Sequence, residues 1–145
     1  MKILISACLL GVSCRYDGKS KPHSDVAQLM EKHTLIPVCG EIMGGLPTPR
    51  VSAERQGERV MTKDGRDVTA EYRRGAEEVL RLAKLYGATV AVLKERSPSC
   101  GSGEVYDGTF TGTLTAGYGV TAELLHANGI RVIGETAIHT LMEEN

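Results

Sequence analysis

Four cysteines carry the chemistry that this sequence offers, and each stands where a strand-like run gives way to a loop. Cys8 and Cys14 follow the first such run, Cys39 the second and Cys100 the third. In an α/β chain the carboxyl ends of parallel strands lie side by side along the crevice where ligands bind. Thiols far apart in sequence can then meet at one edge of a sheet, which suggests a metal or iron–sulfur centre more than a set of disulfides. The local motifs are absent: there is no C-x-x-C of a zinc knuckle or thioredoxin and no C-x2-C-x2-C of a bacterial ferredoxin. The plain alternative is four inert thiols, because free cysteine packs as a small hydrophobe. Glycines beside Cys39 and in Ser97-Pro98-Ser99-Cys100-Gly101-Ser102-Gly103 weigh against it. They let backbone approach a bulky group and aim amide N–H groups at anionic sulfides.

The elements that must position these residues alternate between strand and helix. Lys2 to Ala7 is an apolar run suited to a strand buried on both faces, followed by a loop from Leu9 to His23. Ser24 or Asp25 can cap a short helix to about His33, with Gln28 completing a capping box behind Asp25. Leu35 to Val38 makes a second strand, whose Pro37 must lie at an end or edge. From Gly40 to Gly65 the chain makes a long loop with a short strand over Arg59 to Thr62. Asp67 opens the strongest helix. Val68, Tyr72, Ala76, Val79, Ala83 and Tyr86 mark one face, and Gly87 ends it. Thr89 to Leu93 is a third strand, and a hairpin is expected around Asp107-Gly108. A helix over Thr121 to Ala127, a fourth strand over Ile130 to Ile133 and a closing helix over Glu135 to Glu144 complete the pattern. It predicts a small Rossmann-like three-layer α/β sandwich with a mostly parallel sheet, a single domain over 1–145.

Composition narrows the function classes. The 145 residues carry 24% charged and 41% apolar side chains and a net charge of -1, the mark of a globular chain with no electrostatic grip on nucleic acid or an anionic membrane. With 4% aromatics and no Trp, a base-stacking platform for a nucleic-acid strand is not expected. The apolar run after Met1 is too short for a signal peptide, and no stretch approaches the ~20 apolar residues of a membrane span. The expectation is a cytoplasmic protein with reduced thiols. His23, His33, His126 and His139 show no metal-ligand spacing.

Cys8-Leu9-Leu10-Gly11-Val12-Ser13-Cys14-Arg15 resembles the C-x5-R phosphate loop of low-molecular-weight tyrosine phosphatases but is one residue too long. That family's Asp-Pro acid is also missing. A resemblance that spans nearly the whole chain lies elsewhere. It rests on Ser6-Ala7-Cys8-Leu9-Leu10-Gly11 with Cys14-Arg15-Tyr16-Asp17-Gly18, on Val38-Cys39-Gly40-Glu41 with Gly44-Gly45-Leu46 and Pro49-Arg50, and on Ser97-Pro98-Ser99-Cys100-Gly101. These phrases resemble the small bacterial proteins long grouped as a domain of unknown function, some of which are thiouracil desulfidases.

The resemblance implies a [4Fe-4S] cluster held by Cys8, Cys39 and Cys100, one iron staying open for the sulfur of a thiolated pyrimidine. It implies Glu41 as general acid/base and Ser97 close to the reacting thiocarbonyl. Ser99 and Arg50 are then expected at the substrate. One departure stands out: the family usually reads Cys-Pro-Glu where this chain has Cys39-Gly40-Glu41. The chemistry is sound on its own terms, since thiolate-held metals favour soft donors and water attack on a thiocarbonyl needs a base. Cys14 is open to three readings: a fourth ligand, a thiol that stores sulfide beside the cluster, or a structural residue. A reading from another class is a non-catalytic metal- or sulfide-binding module that uses all four cysteines.

Overall fold

The computed structural model describes residues 1–144. The chain begins with β1 (Lys2–Ser6), a 3-10 turn (Ala7–Leu10), α1 (Val26–Lys32), β2 (Thr34–Val38) and α2 (Gly40–Met43). A hairpin of β3 (Ala53–Gln56) and β4 (Arg59–Thr62) leads into α3 (Thr69–Tyr86) and β5 (Val90–Leu93). A second hairpin of β6 (Ser102–Tyr106) and β7 (Leu114–Tyr118) precedes α4 (Val120–Ala127), β8 (Arg131–Gly134) and a 3-10 helix (Glu135–Leu141).

Strands β2, β1, β5 and β8 pair in that order as one parallel sheet. Ile3 and Ile5 alternate with Leu4, and Val90 and Val92 with Ala91 and Leu93, so both faces are apolar. Val26 and Leu29 of α1 with Ile138 and Leu141 cover one face. Val79 and Ala83 of α3 with Ala122 and Leu125 of α4 cover the other. The result is the three-layer α/β architecture that the alternating pattern predicts. From β1 the chain passes to β2 on one side and later returns to β5 on the other. That reversal puts the ligand crevice at the carboxyl ends of β1 and β5. Pro37 sits on the edge strand β2, where a missing donor is tolerated.

Several local expectations are corrected. Asp25 precedes α1 but makes no capping bond. Its backbone is helical (φ -84°, ψ -8°) and its N–H donates to His23 Nδ1 at 3.2 Å, so the box with Gln28 does not form. Helix α2 and strand β3 fall inside the stretch read as a long loop, since four residues are too few to show a period. The hairpin expected around Asp107-Gly108 is present, and its connection extends over residues 107–113. The closing segment is 3-10, with the Thr140 hydroxyl donating to the Ala137 carbonyl in competition with the α-helical bond.

The loop that leaves β5 is pinned at both ends of its first turn. Ser6 Oγ accepts the Lys94 N–H at 2.8 Å, and Glu135 takes the Lys94 ammonium at 2.7 Å and the Glu95 N–H at 2.6 Å. Glu95 in return accepts the Thr136 N–H at 2.7 Å. Burial alone would raise the Glu135 carboxyl, but Lys94 and the Glu95 N–H outweigh it and hold the group below its ordinary value. A depressed folded value means the stabilisation is complete above the unfolded value of about 4.3. It is lost as pH falls through the lower folded one. Glu135→Gln should therefore cost about 1.5–3 kcal/mol near neutrality and flatten the acid limb of stability against pH, measured by denaturant unfolding from pH 7 to 3.

Helix α2 reaches its place because two glycines let backbones touch. A Cβ on Gly75, in the middle of α3, would overlap the Gly40 carbonyl. Helix propensity alone would make Gly75→Ala stabilising by about 1 kcal/mol. Because the colliding atoms are main chain and cannot turn away, the substitution should instead destabilise by about 1–3 kcal/mol. A rise in Tm would contradict this packing.

Candidate active site

All four thiols line a single cavity of about 530 Å³ at the carboxyl ends of the central strands, together with Glu41 and Ser97. That volume lies in the usual range for small-molecule sites. Cys8 comes from the 3-10 turn after β1, Cys39 directly follows β2, and Cys100 sits in the loop after β5. Cys14 is buried, and Cys8 and Cys39 are the side chains that most influence its thiol. None is in a disulfide. Among the described residues, no three His, Cys, Asp or Glu side chains draw close enough to hold a lone metal ion. The thiols border a volume, not a point.

The Cys100 loop is built around Ser97. Its Oγ accepts the N–H groups of Ser99 and Cys100, each at 3.1 Å, while its carbonyl takes the Gly101 N–H. The first N–H groups of α4, those of Val120, Thr121 and Ala122, donate to the Pro98 and Ser99 carbonyls. These bonds satisfy donors that a helix start leaves orphaned. Gly119 permits the approach, as a Cβ there would collide with the Ser99 carbonyl and the Cys100 nitrogen. Ser97 is thus a turn residue and a cavity residue at once.

Glu41 projects from α2 and is the most heavily engaged side chain at the site. Tyr72 donates its hydroxyl to Oε2 at 2.7 Å, and Arg50 reaches the same oxygen through Nε and Nη2, both at 3.2 Å. Among the described residues no donor engages Oε1. Arg50 also donates to the Cys14 carbonyl at 3.0 Å and to the Pro47 carbonyl at 3.1 Å, so it ties the first cysteine loop to the Glu41 helix. Burial first, and the Glu41 charge second, push the Tyr72 phenol well up, which keeps it a donor.

Arg50 and Ser99, expected at the substrate, are not among the residues that line this cavity. The guanidinium is spent on Glu41 and backbone carbonyls. Ser99 is 1% exposed, and its hydroxyl pairs with Thr121 Oγ1 at 2.8 Å. That hydroxyl pair also fills the space where a side chain at Gly40 would go. Tyr72 was legible only as a buried helix-face residue. A period of 3.6 reports burial and says nothing of a partner on another element.

The surroundings disfavour the thiolates of Cys14, Cys39 and Cys100. Burial pushes Cys100 up to about 12, against the Ser6 hydroxyl, which pulls the other way. The contact with Cys14 and then burial push Cys39 up further. For Cys14 the bond with Cys39 favours the thiolate, but the Cys8 contact and burial outweigh it and the net shift is upward. A bound metal would offset this cost for Cys14, Cys39 and Cys100, since it displaces thiol protons outright. As a donor set, soft thiols from three strand ends around one cavity suit an iron–sulfur centre. Lys21, Lys63 and Arg96 also line the cavity, as do Arg15, paired with Asp17, and Lys94, paired with Glu135; Glu41, Glu54 and Glu95 are the carboxylates of the same lining.

The family model of 2-thiouracil desulfurases matches residues 3–137. YbbK of Bacillus subtilis (strain 168), described as an uncharacterized protein, is 40% identical over 150 residues, covering 97% of this chain and 99% of its own. Among solved structures, the [4Fe-4S]-dependent thiouracil desulfidase TudS (DUF523) is 50% identical. It superposes with a TM-score of 0.92 over 97% of this chain and 94% of its own. With a family model spanning nearly its whole length, the chain belongs to the 2-thiouracil desulfurase family.

Proposed function

We propose that this protein removes sulfur from thiolated pyrimidines such as 2-thiouracil, using a [4Fe-4S] cluster held by Cys8, Cys39 and Cys100. The observation that carries the reading is one cavity lined by these three thiols, Glu41 and Ser97. The likeness to TudS, whose own description names the cluster and the substrate, supports it. When bound, the cluster supplies an iron without a protein ligand, a Lewis acid suited to a soft sulfur. Water attacks the thiocarbonyl carbon and its oxygen replaces the sulfur, which departs as sulfide. No electron is gained or lost.

The chain's own residues handle the protons. Glu41 takes one from the attacking water at Oε1, which no donor among the described residues engages, while Tyr72 and Arg50 fix Oε2. Arg50 thereby acts as a positioning residue. The Ser97 oxygen already accepts two N–H groups, so its own proton is available to the substrate. Among the described residues no helix is long and apolar enough to cross a membrane. Reduced thiols suit the cytoplasm, the compartment we propose.

Glu41→Gln keeps size and hydrogen bonding but removes basicity. The cluster should assemble with an unchanged visible spectrum while thiouracil desulfuration falls ~10²–10⁴-fold. Unchanged turnover would assign water activation to another group.

The burial of Cys14 against Cys8 and Cys39 favours a second reading, a non-catalytic module with four thiolate ligands. Iron analysis after anaerobic reconstitution separates the two. Cys14→Ser should retain about four irons per chain, and Cys39→Ser should lose them. Equal loss in both variants would favour the four-ligand module.

A further inference from the structure

Aromatic side chains are scarce here, five tyrosines and one phenylalanine, yet Tyr16, Tyr106 and Phe110 all line the cavity. Phe110 is the one whose backbone is forced. Its φ of 58° lies in the left-handed region, where a bulky residue is an outlier and glycine is at ease. The same connection, 107–113, already uses Gly108 and Gly112 at positive φ. Phe110 is the exception that the loop retains.

Its position is clamped from β3. Glu54 Oε1 accepts the N–H of Gly108 at 3.0 Å and the N–H of Phe110 at 3.1 Å. Gln56 Nε2 donates to the Gly108 carbonyl at 2.8 Å, and a Cβ on Gly108 would crowd the Arg55 carbonyl. One hairpin thus grips the tip of the other. Such strain persists only where surroundings over-determine it, and it collects at ligand clamps. The core does not require the ring: Phe110 belongs to none of the three apolar clusters and is half-buried at the cavity.

We propose that Phe110 is the face on which the flat heterocycle of the substrate stacks, held in place by the Glu54 clamp. The inference rests on the desulfidase reading, which makes the ligand a planar pyrimidine. A π-face matches such a ring in shape and electronics, and it leaves the ring's edges free for Ser97 and Glu41.

The test uses the anaerobic holoenzyme, with KM for 2-thiouracil, the Kd of its oxygen product uracil by equilibrium dialysis, iron content and Tm. Phe110→Gly should raise KM and Kd roughly 5- to 100-fold, with iron content unchanged. Its Tm should be equal or higher, because glycine relieves the forced φ. Phe110→Tyr should keep wild-type affinity and Phe110→Leu should not. Wild-type KM and Kd in Phe110→Gly would overturn the proposal, as would a Tm falling together with affinity, which would make the ring a packing residue. A wild-type protein that binds neither compound would overturn the functional reading and this inference with it.

Discussion

Parallel pairing of β1, β2 and β5 is the constraint from which the site follows. Parallel strands end on the same edge, so the segments that leave them must start there and turn back over the sheet. Cys8, Cys39 and Cys100 occupy those departing segments. Each segment is then fixed by its own backbone bonds. The first closes on itself, with Gly11 and Val12 donating to the Cys8 and Ala7 carbonyls. The second becomes α2, whose Met43 N–H returns to the Cys39 carbonyl, and the third docks under the start of α4. Thiols remote in sequence share a cavity because the sheet leaves them no other edge.

Burying a carboxylate beside these thiols requires compensation, since an ion moved out of water is costly unless it is paired and hydrogen-bonded. Arg50 and Tyr72 provide both for Glu41, and they do so on one oxygen. One atom is thus held by the fold, and under the proposed function the other is the one that takes the proton. Arg50 comes from the loop after α2 and Tyr72 from α3, so the carboxylate is also a junction. Because Arg50 binds the Cys14 carbonyl as well, a shift of the first cysteine loop is felt at Glu41.

The four strands of the parallel sheet, the long helix with its Gly87 stop and the meeting of the thiols were legible because they rest on local period, on turn chemistry or on family phrases. Gly87 has φ of 69° and caps α3 as its type requires. What the sequence could not show are pairings between elements. Tyr72 reads as one more apolar position, although its hydroxyl reaches Glu41. Arg50 and Ser99 stand among recognisable phrases, yet both turn away from the cavity to serve neighbours. Glu54 and Phe110 carry no signal at all, because a clamp between two hairpins exists only once both are folded.

Three of the thiols also belong to the apolar core. Cys8 and Cys14 pack in the cluster with Ile3, Ile5 and Leu29, and Cys100 in the one with Leu4, Leu93 and Leu125. In their protonated form they are small hydrophobes and contribute to the fold without metal. This differs from small zinc domains, where ligand binding is itself the folding energy. Here the sheet and its helices form a core of their own around these side chains, and the raised Cys100 value reflects that same burial. Burial that makes Cys100 a packing group also raises the cost of its thiolate. Under the proposed function, a bound metal would supply the stabilisation that a buried thiolate such as that of Cys100 lacks.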